Sequence, residues 1–168
     1  MEAFHEAAHS AFAFEMGLKI VEIRMKPDAK GTYSAAVATE DRKGLVQAAE
    51  EADRRGHAEE MIRMLMAGKA AEEALGSTDP QMNFRALRDD VDITYFRRTY
   101  IPESEQKEVM DRLLAEVKAS VTDAGSPMRQ AIAALAVKLI EIGDNSLGGD
   151  EVREILQRFL EPPTAKSS

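Results

Sequence analysis

Apolar positions along this chain follow two periods, 3.6 and 2, and their order predicts a helix, a short β ribbon and then helices to the end. Glu2 to Met16 spaces Phe4, Ala8 and Phe12 among charged residues, contains no Gly or Pro, and runs into Gly17, a good helix stop. In Leu18 to Met25, Ile and Val alternate with charge, which predicts a strand. Pro27, Asp28 and Gly31 supply turn chemistry, and Thr32 to Thr39 reads as a second strand folded back on the first.

The 3.6 period then takes over. Lys43 to Leu75 presents Met61, Ile62, Leu65 and Met66 on one face, with Gly56 and Gly68 as the interruptions that decide between one bent helix and two. Ser77 to Phe84, with Pro80, reads as an irregular loop. Further helices are expected over Arg85 to Tyr100, over Glu103 to Thr122 with Val109, Leu113 and Val117 inward, and from Pro127 to Ile142 behind an N-cap Ser126. A Gly143 to Gly149 loop precedes a last short helix carrying Val152, Ile155 and Leu156, and residues 162–168 read as a loose tail. The expected class is therefore mainly α with a small β ribbon (α+β), with a helical bundle over residues 1–161 as a single domain.

Composition narrows the chemistry. With 22 Lys and Arg against 30 Asp and Glu, the net charge of −8 lacks the basic stripe that phosphate binding needs, so no nucleic-acid partner is expected. No apolar run reaches the roughly 18 to 20 residues of a membrane span, and no signal peptide opens the chain, so a cytoplasmic protein is expected. The chain has no Cys, so any metal must be held by His and carboxylate.

Two of the three His residues frame the pattern His5-Glu6-Ala7-Ala8-His9. Residues four apart on a helix lie about 40° apart in azimuth and one turn along, so two imidazoles can share one Zn²⁺. Glu6, turned about 100° from His5, stands beside the metal, where it can act as general base toward a zinc-activated water. Chance spacing on a surface helix is the bland alternative, and the apolar flanks Phe4, Ala8 and Phe12 argue against solvated imidazoles.

A catalytic zinc usually has three protein ligands. Glu15 lies at the metzincin spacing, but position 12 is Phe where that pattern needs Gly, and Glu15 reads as a surface charge. His57 sits in a polar stretch with Arg54, Arg55, Glu59 and Glu60. Glu72 and Glu73 suit either a ligand or a solvated helix end, and the run Asp89, Asp90, Asp92 is the remaining source.

Phe4-His5-Glu6-Ala7-Ala8-His9-Ser10-Ala11, a strand pair, and then Ala67-Gly68-Lys69-Ala70-Ala71-Glu72-Glu73-Ala74-Leu75-Gly76 together resemble the peptidase domain of the FtsH-type zinc proteases, which are usually fused to an AAA+ ATPase. The resemblance extends to Leu135 to Ile142 and Ser146 to Leu156, nearly the whole chain. It implies a zincin-like HExxH helix, an Asp ligand on the helix after the Glu-Glu segment, and proteolysis. Two departures stand out. Ala8 replaces the family's Gly, and these 168 residues hold the peptidase-like part alone, so a separate ATPase is an expected partner for folded substrates. No phosphate-cradling Gly-rich loop with Lys-Ser/Thr occurs in these residues.

Mapped onto this sequence, Asp89 places Ile93, Phe96 and Tyr100 on one apolar face, whereas Asp90 places Thr94, Arg97 and Ile101 there. Asp89 is preferred and Asp90 is the alternate, favoured by the Val91 that follows it. The expectation is a zinc metalloendopeptidase with His5, His9 and the Asp as ligands and Glu6 as general base, acting on peptides or unfolded chains and free to form a homo-oligomer. The rival is a non-proteolytic binding or regulatory module on the same fold.

Overall fold

The computed structural model describes residues 2–27, 33–39, 42–76, 82–143 and 145–161. The turn expected around Asp28 and Gly31, residues 77–81 of the expected 77–84 loop and the tail lie outside them. Helix α1 (Glu2–Glu15) leads into strands β1 (Ile20–Pro27) and β2 (Tyr33–Thr39). Six more helices follow: α2 (Arg42–Ala48), α3 (Glu51–Ala74), α4 (Met82–Tyr100), α5 (Gln106–Thr122), α6 (Pro127–Ile142) and α7 (Gly149–Leu156). A short strand β3 (Ser146–Gly148) precedes α7, and a 3₁₀ turn, Glu103–Glu105, opens the approach to α5. The molecule is mainly α with a small antiparallel sheet.

Helix α1 is the centre of the fold. It packs against α3, α6 and the sheet, and 12 of its 14 residues are buried. The apolar residues Phe4, Ala8 and Phe12 among charges are the pattern of a half-buried helix. Ala3, Ala7, Ala8, Ala11 and Ala13 instead let neighbours approach from nearly every side, as expected of a helix without a broad polar face. The methyl of Ala8 is absorbed in this packing with no exposure.

The sheet order is β2-β1-β3, all antiparallel. Strand β1 buries Ile23 and Met25 and turns Arg24 outward as expected, but the alternation breaks at its start, where Ile20 is buried and Val21 outward and the register with β2 shifts between Ile20 and Glu22. The third strand corrects the expected Gly143 to Gly149 loop. Its Leu147 lies opposite Ile23, and both are buried. At its end, a Cβ on Gly149 would stand 1.9 Å from the Ile20 carbonyl oxygen, so the start of α7 can press against β1 only because residue 149 is glycine.

The long helical segment breaks at Ala49 and Glu50, and neither Gly56 nor Gly68 interrupts α3. Glu50 is extended (φ −57°, ψ 149°), and the Arg54 Nε donates to the Ala49 carbonyl at 3.0 Å, tying the corner. Helix α4 begins at Met82, earlier than expected. Helix α6 starts as its sequence indicates, the Ser126 Oγ accepting the Arg129 amide at 3.0 Å ahead of Pro127.

One core runs from Ala3 to Leu160, with Ile62, Leu65, Phe96, Leu113, Leu135 and Leu139 among its largest fully buried side chains. A chain of ion pairs fixes α5 along α3: Arg55 to Glu105 at 2.7 Å, Glu59 to Arg112 at 2.6 Å and Arg63 to Glu116 at 3.2 Å. Each such pair near the surface is worth roughly 0 to 1 kcal/mol, so together they set register more than stability. No helix among the described residues is long and apolar enough to cross a membrane.

Candidate metal centre

Helix α1 turns both of its imidazoles toward α3. The two Nε2 atoms are 2.8 Å apart, with ring centroids at 4.5 Å and planes at 76°. Helix α4 brings in the third group: the Asp89 Oδ2 lies 3.3 Å from the His5 Nε2 and 3.2 Å from the His9 Nε2. His5, His9 and Asp89 are the one metal-competent cluster among the described residues. Both imidazoles are 7% exposed. Asp90 is exposed, so Asp89 and not Asp90 joins the imidazoles. Phe96, seven residues on, is buried at 1% exposure, while Ile93 and Tyr100 pack partly buried against the core.

The back of each ring fixes what its front offers. The His9 Nδ1 is 2.7 Å from the Met64 carbonyl oxygen, which can only accept, so Nδ1 carries the proton and Nε2 is left with a lone pair. The His5 Nδ1 faces the Glu72 Oε1 at 3.5 Å, an ion-pair distance too long for a closed hydrogen bond. Glu72 is itself buried at 3% exposure, and its carboxylate favours a proton on the same side of the His5 ring. Two imidazole lone pairs and a carboxylate oxygen therefore converge at 2.8 to 3.3 Å. Such a cluster is repulsive until a cation or a proton stands within it.

Without metal a proton answers that need. Burial works to lower the His5 pKa, but Asp89 and Glu72, with the charge of nearby Glu6, outweigh it and push the value up to about 10. For Asp89 burial works upward, and the two imidazoles overcome it and hold the carboxyl well below the usual carboxylate range.

The donor set also suits zinc. Atoms bound tetrahedrally to one ion at roughly 2.0 to 2.1 Å stand about 3.3 to 3.4 Å apart. Two edges of the triangle, 3.2 and 3.3 Å, match that spacing, and the imidazole edge of 2.8 Å is somewhat short. Gly68 leaves the room. A Cβ on it would stand 2.6 Å from both Nε2 atoms and from the His5 Cε1, so the backbone of α3 comes this close only because residue 68 has no side chain. Met64, Gly68 and Glu72 follow at intervals of four, one stripe of α3 against which both rings lie.

Glu6 is buried at 9% exposure on the same turn of α1. The Ser10 Oγ donates to its carbonyl at 2.8 Å. The other sequence candidates lie elsewhere. His57 pairs with Glu60 at 3.3 Å, Glu15 is exposed, and the exposed Glu73 pairs with Lys118 at 3.0 Å. Glu72 stands behind His5 and outside the converging Nε2 set. Sequence reasoning missed the Met64 carbonyl, and it used Gly68 as a helix interruption and as part of the family-like segment without seeing the room it leaves for the rings. No protein-family model and no curated protein matches the chain.

Proposed function

We propose that the chain is a zinc-dependent metallopeptidase acting on peptides or unfolded chains. His5, His9 and Asp89 hold the metal, and Glu6 is the general base. The observation that carries this reading is the convergence of three lone-pair donors, each set by a buried partner or by its own charge, beside the buried Glu6 of a His-Glu-x-x-His helix. Zinc in such a site supplies Lewis acidity, polarising the scissile carbonyl and lowering the pKa of water toward 7.

The chain's own residues do the rest. Glu6 takes the proton of the attacking water and returns it to the leaving amine. Met64 and Glu72 keep the imidazole Nδ1 protons on the far side, so that both Nε2 atoms stay available as ligands. Packing around α1 buries both imidazoles, and Asp89 stays partly exposed beside them. The order of motifs that resembles FtsH-type peptidases supports the same reading. The acidic charge fits a cytoplasmic enzyme without a nucleic-acid partner.

The test pairs metal analysis with hydrolysis of an unstructured casein-like substrate. One zinc per chain is expected. His9→Ala should lose it, and Glu6→Gln should keep it while abolishing cleavage. Unchanged turnover in Glu6→Gln would refute the mechanism. Zinc binding without cleavage of any unfolded chain would favour the non-proteolytic module.

A further inference from the structure

Among the described residues three arginines hold a buried side-chain nitrogen with no hydrogen-bond partner: Arg63, Arg97 and Arg129. Arg63 has the Glu116 carboxylate at 3.2 Å, and the Arg129 guanidinium lies over the Phe4 ring, 5.6 Å from its centre. Arg97, near the end of α4, has neither a carboxylate nor a ring among the described residues. Nor is it needed at the helix end, because the Gln106 side-chain amide donates to the Arg97 and Ile101 carbonyls at 3.3 and 3.0 Å. In a chain with 30 acidic side chains, a buried guanidinium nitrogen left without one points to an anion from outside. We propose that Arg97 binds a carboxylate of the substrate, within about four residues of the cleaved bond. The proposal rests on the metallopeptidase reading and names its substrate class.

Position supports the assignment. Arg97 lines two cavities at once. One, of about 310 Å³, lies between α3, α4 and α5 and has Asp89 in its wall; the other, of about 810 Å³, opens at the C-terminal end of α4 beside Tyr100 and Gln106. Eight residues of α4 separate Asp89 from Arg97, which is about 12 Å along the axis. An extended peptide covers about 3.3 to 3.6 Å per residue, so a chain whose reacting carbonyl sits at the donor cluster brings its third or fourth residue onward level with Arg97. Charge points the same way. The smaller cavity sets Lys69, Arg97 and Lys118 against Glu73, Asp89 and Asp90. Glu73 and Lys118 pair at 3.0 Å and Asp89 belongs to the donor cluster, so Lys69 and Arg97 are opposed by the exposed Asp90 alone. A carboxylate is the planar anion that a guanidinium fork matches, through two parallel N–H···O bonds. On a peptide it comes from the C-terminus or from an Asp or Glu side chain, and only the first is removed by C-terminal amidation.

The experiment offers the zinc-loaded chain a random library of short peptides, made once as C-terminal acids and once as amides, and maps every cut by mass spectrometry. Wild type should either cut the acids about 10- to 100-fold faster, at a fixed distance from the C-terminus, or cut both alike with Asp and Glu enriched by that factor at one position after the bond. The first result assigns the C-terminus as the source and the second the side chain. Arg97→Met keeps an unbranched apolar stem and drops the charge. It should lose the preference through a raised KM while zinc content stays unchanged, and Arg158→Met, an exposed charge control, should keep the preference. A second readout needs no turnover. In ¹⁵N NMR of the zinc-loaded Glu6→Gln chain, the Arg97 Nε–H signal, assigned by its loss in Arg97→Lys, should move on titration with acetyl-trialanine acid and not with its amide. Should Arg97→Met fail to fold, Arg97→Gln and this titration carry the test. Cleavage with no carboxylate preference of either kind, a preference kept in folded Arg97→Met, or an Nε–H signal indifferent to the acid would overturn the proposal and leave the peptidase reading intact. Movement of that signal without cleavage of either library by wild type would overturn the peptidase reading and keep Arg97 as a carboxylate site.

Discussion

Gly68→Ala places a single methyl group against both imidazoles. The new Cβ would begin 2.6 Å from the two Nε2 atoms, whereas ordinary contact starts near 3.4 Å, so the rings must retreat by about 0.8 Å or α3 must shift. The His9 ring has no slack, since its Nδ1 is held by Met64 at 2.7 Å, and the His5 ring can retreat only by closing the 3.5 Å gap to the buried Glu72. The methyl also takes the space in front of both Nε2 atoms. Disturbing two of three ligands should weaken zinc at least about 100-fold, or roughly 3 kcal/mol. In the metal-free chain, overpacking costs about 1 to 3 kcal/mol, and replacing a helical Gly returns about 0.5 to 1. The net loss is then about 0 to 2.5 kcal/mol. Gly56→Ala is the control on the same helix, because its Cβ would meet nothing within 4 Å. It should raise stability by about 0.5 to 1 kcal/mol and leave zinc affinity alone. Zinc competition against a chromophoric chelator, with urea unfolding in EDTA, reads both quantities. Wild-type zinc affinity in Gly68→Ala would refute the steric argument. An equal loss in Gly56→Ala would assign the effect to the helix as a whole.

Three further outcomes are expected. Asp89→Asn should weaken zinc by about 100-fold or more, and Asp90→Asn, at an exposed position, by less than about 10-fold, in the same competition titration. In the chelated protein the raised His5 pKa contributes stability in full below 6.5, and that contribution is lost as pH rises toward about 10; the lowered Asp89 pKa contributes above 3.8 and is lost on acidification. Melting temperature measured from pH 3 to 10 should therefore peak between those limits and flatten in Asp89→Asn, and a profile unchanged by that substitution would count against the coupling. Gly149→Ala drives a Cβ to 1.9 Å from the Ile20 carbonyl oxygen, which backbone cannot yield cheaply, and should cost more than about 3 kcal/mol in urea unfolding.

What the sequence could say about the site follows from how locally each contribution is encoded. His5, Glu6 and His9 lie within two turns of one helix, so spacing alone put them together. Asp89 came from the apolar offsets to Ile93, Phe96 and Tyr100, because a helix that must bury Phe96 also fixes which neighbouring carboxylate turns inward. Strand β3 was invisible, since three residues are too few for a period of two to register and its partner lies more than a hundred residues away in the chain. The Met64 carbonyl was invisible because every residue has one, and only the fold decides which of them faces an imidazole. Gly68 was visible and misread, because a glycine in a helical pattern signals a break as readily as a close approach. What separates the two meanings is the stripe. At four-residue intervals Met64, Gly68 and Glu72 supply an acceptor, a gap and a second acceptor to two rings that are themselves four residues apart on α1. A small residue flanked at equal helical intervals by groups that can orient imidazoles, in a helix packed against a His-x-x-x-His pair, is therefore better read as clearance for the site than as the end of the helix.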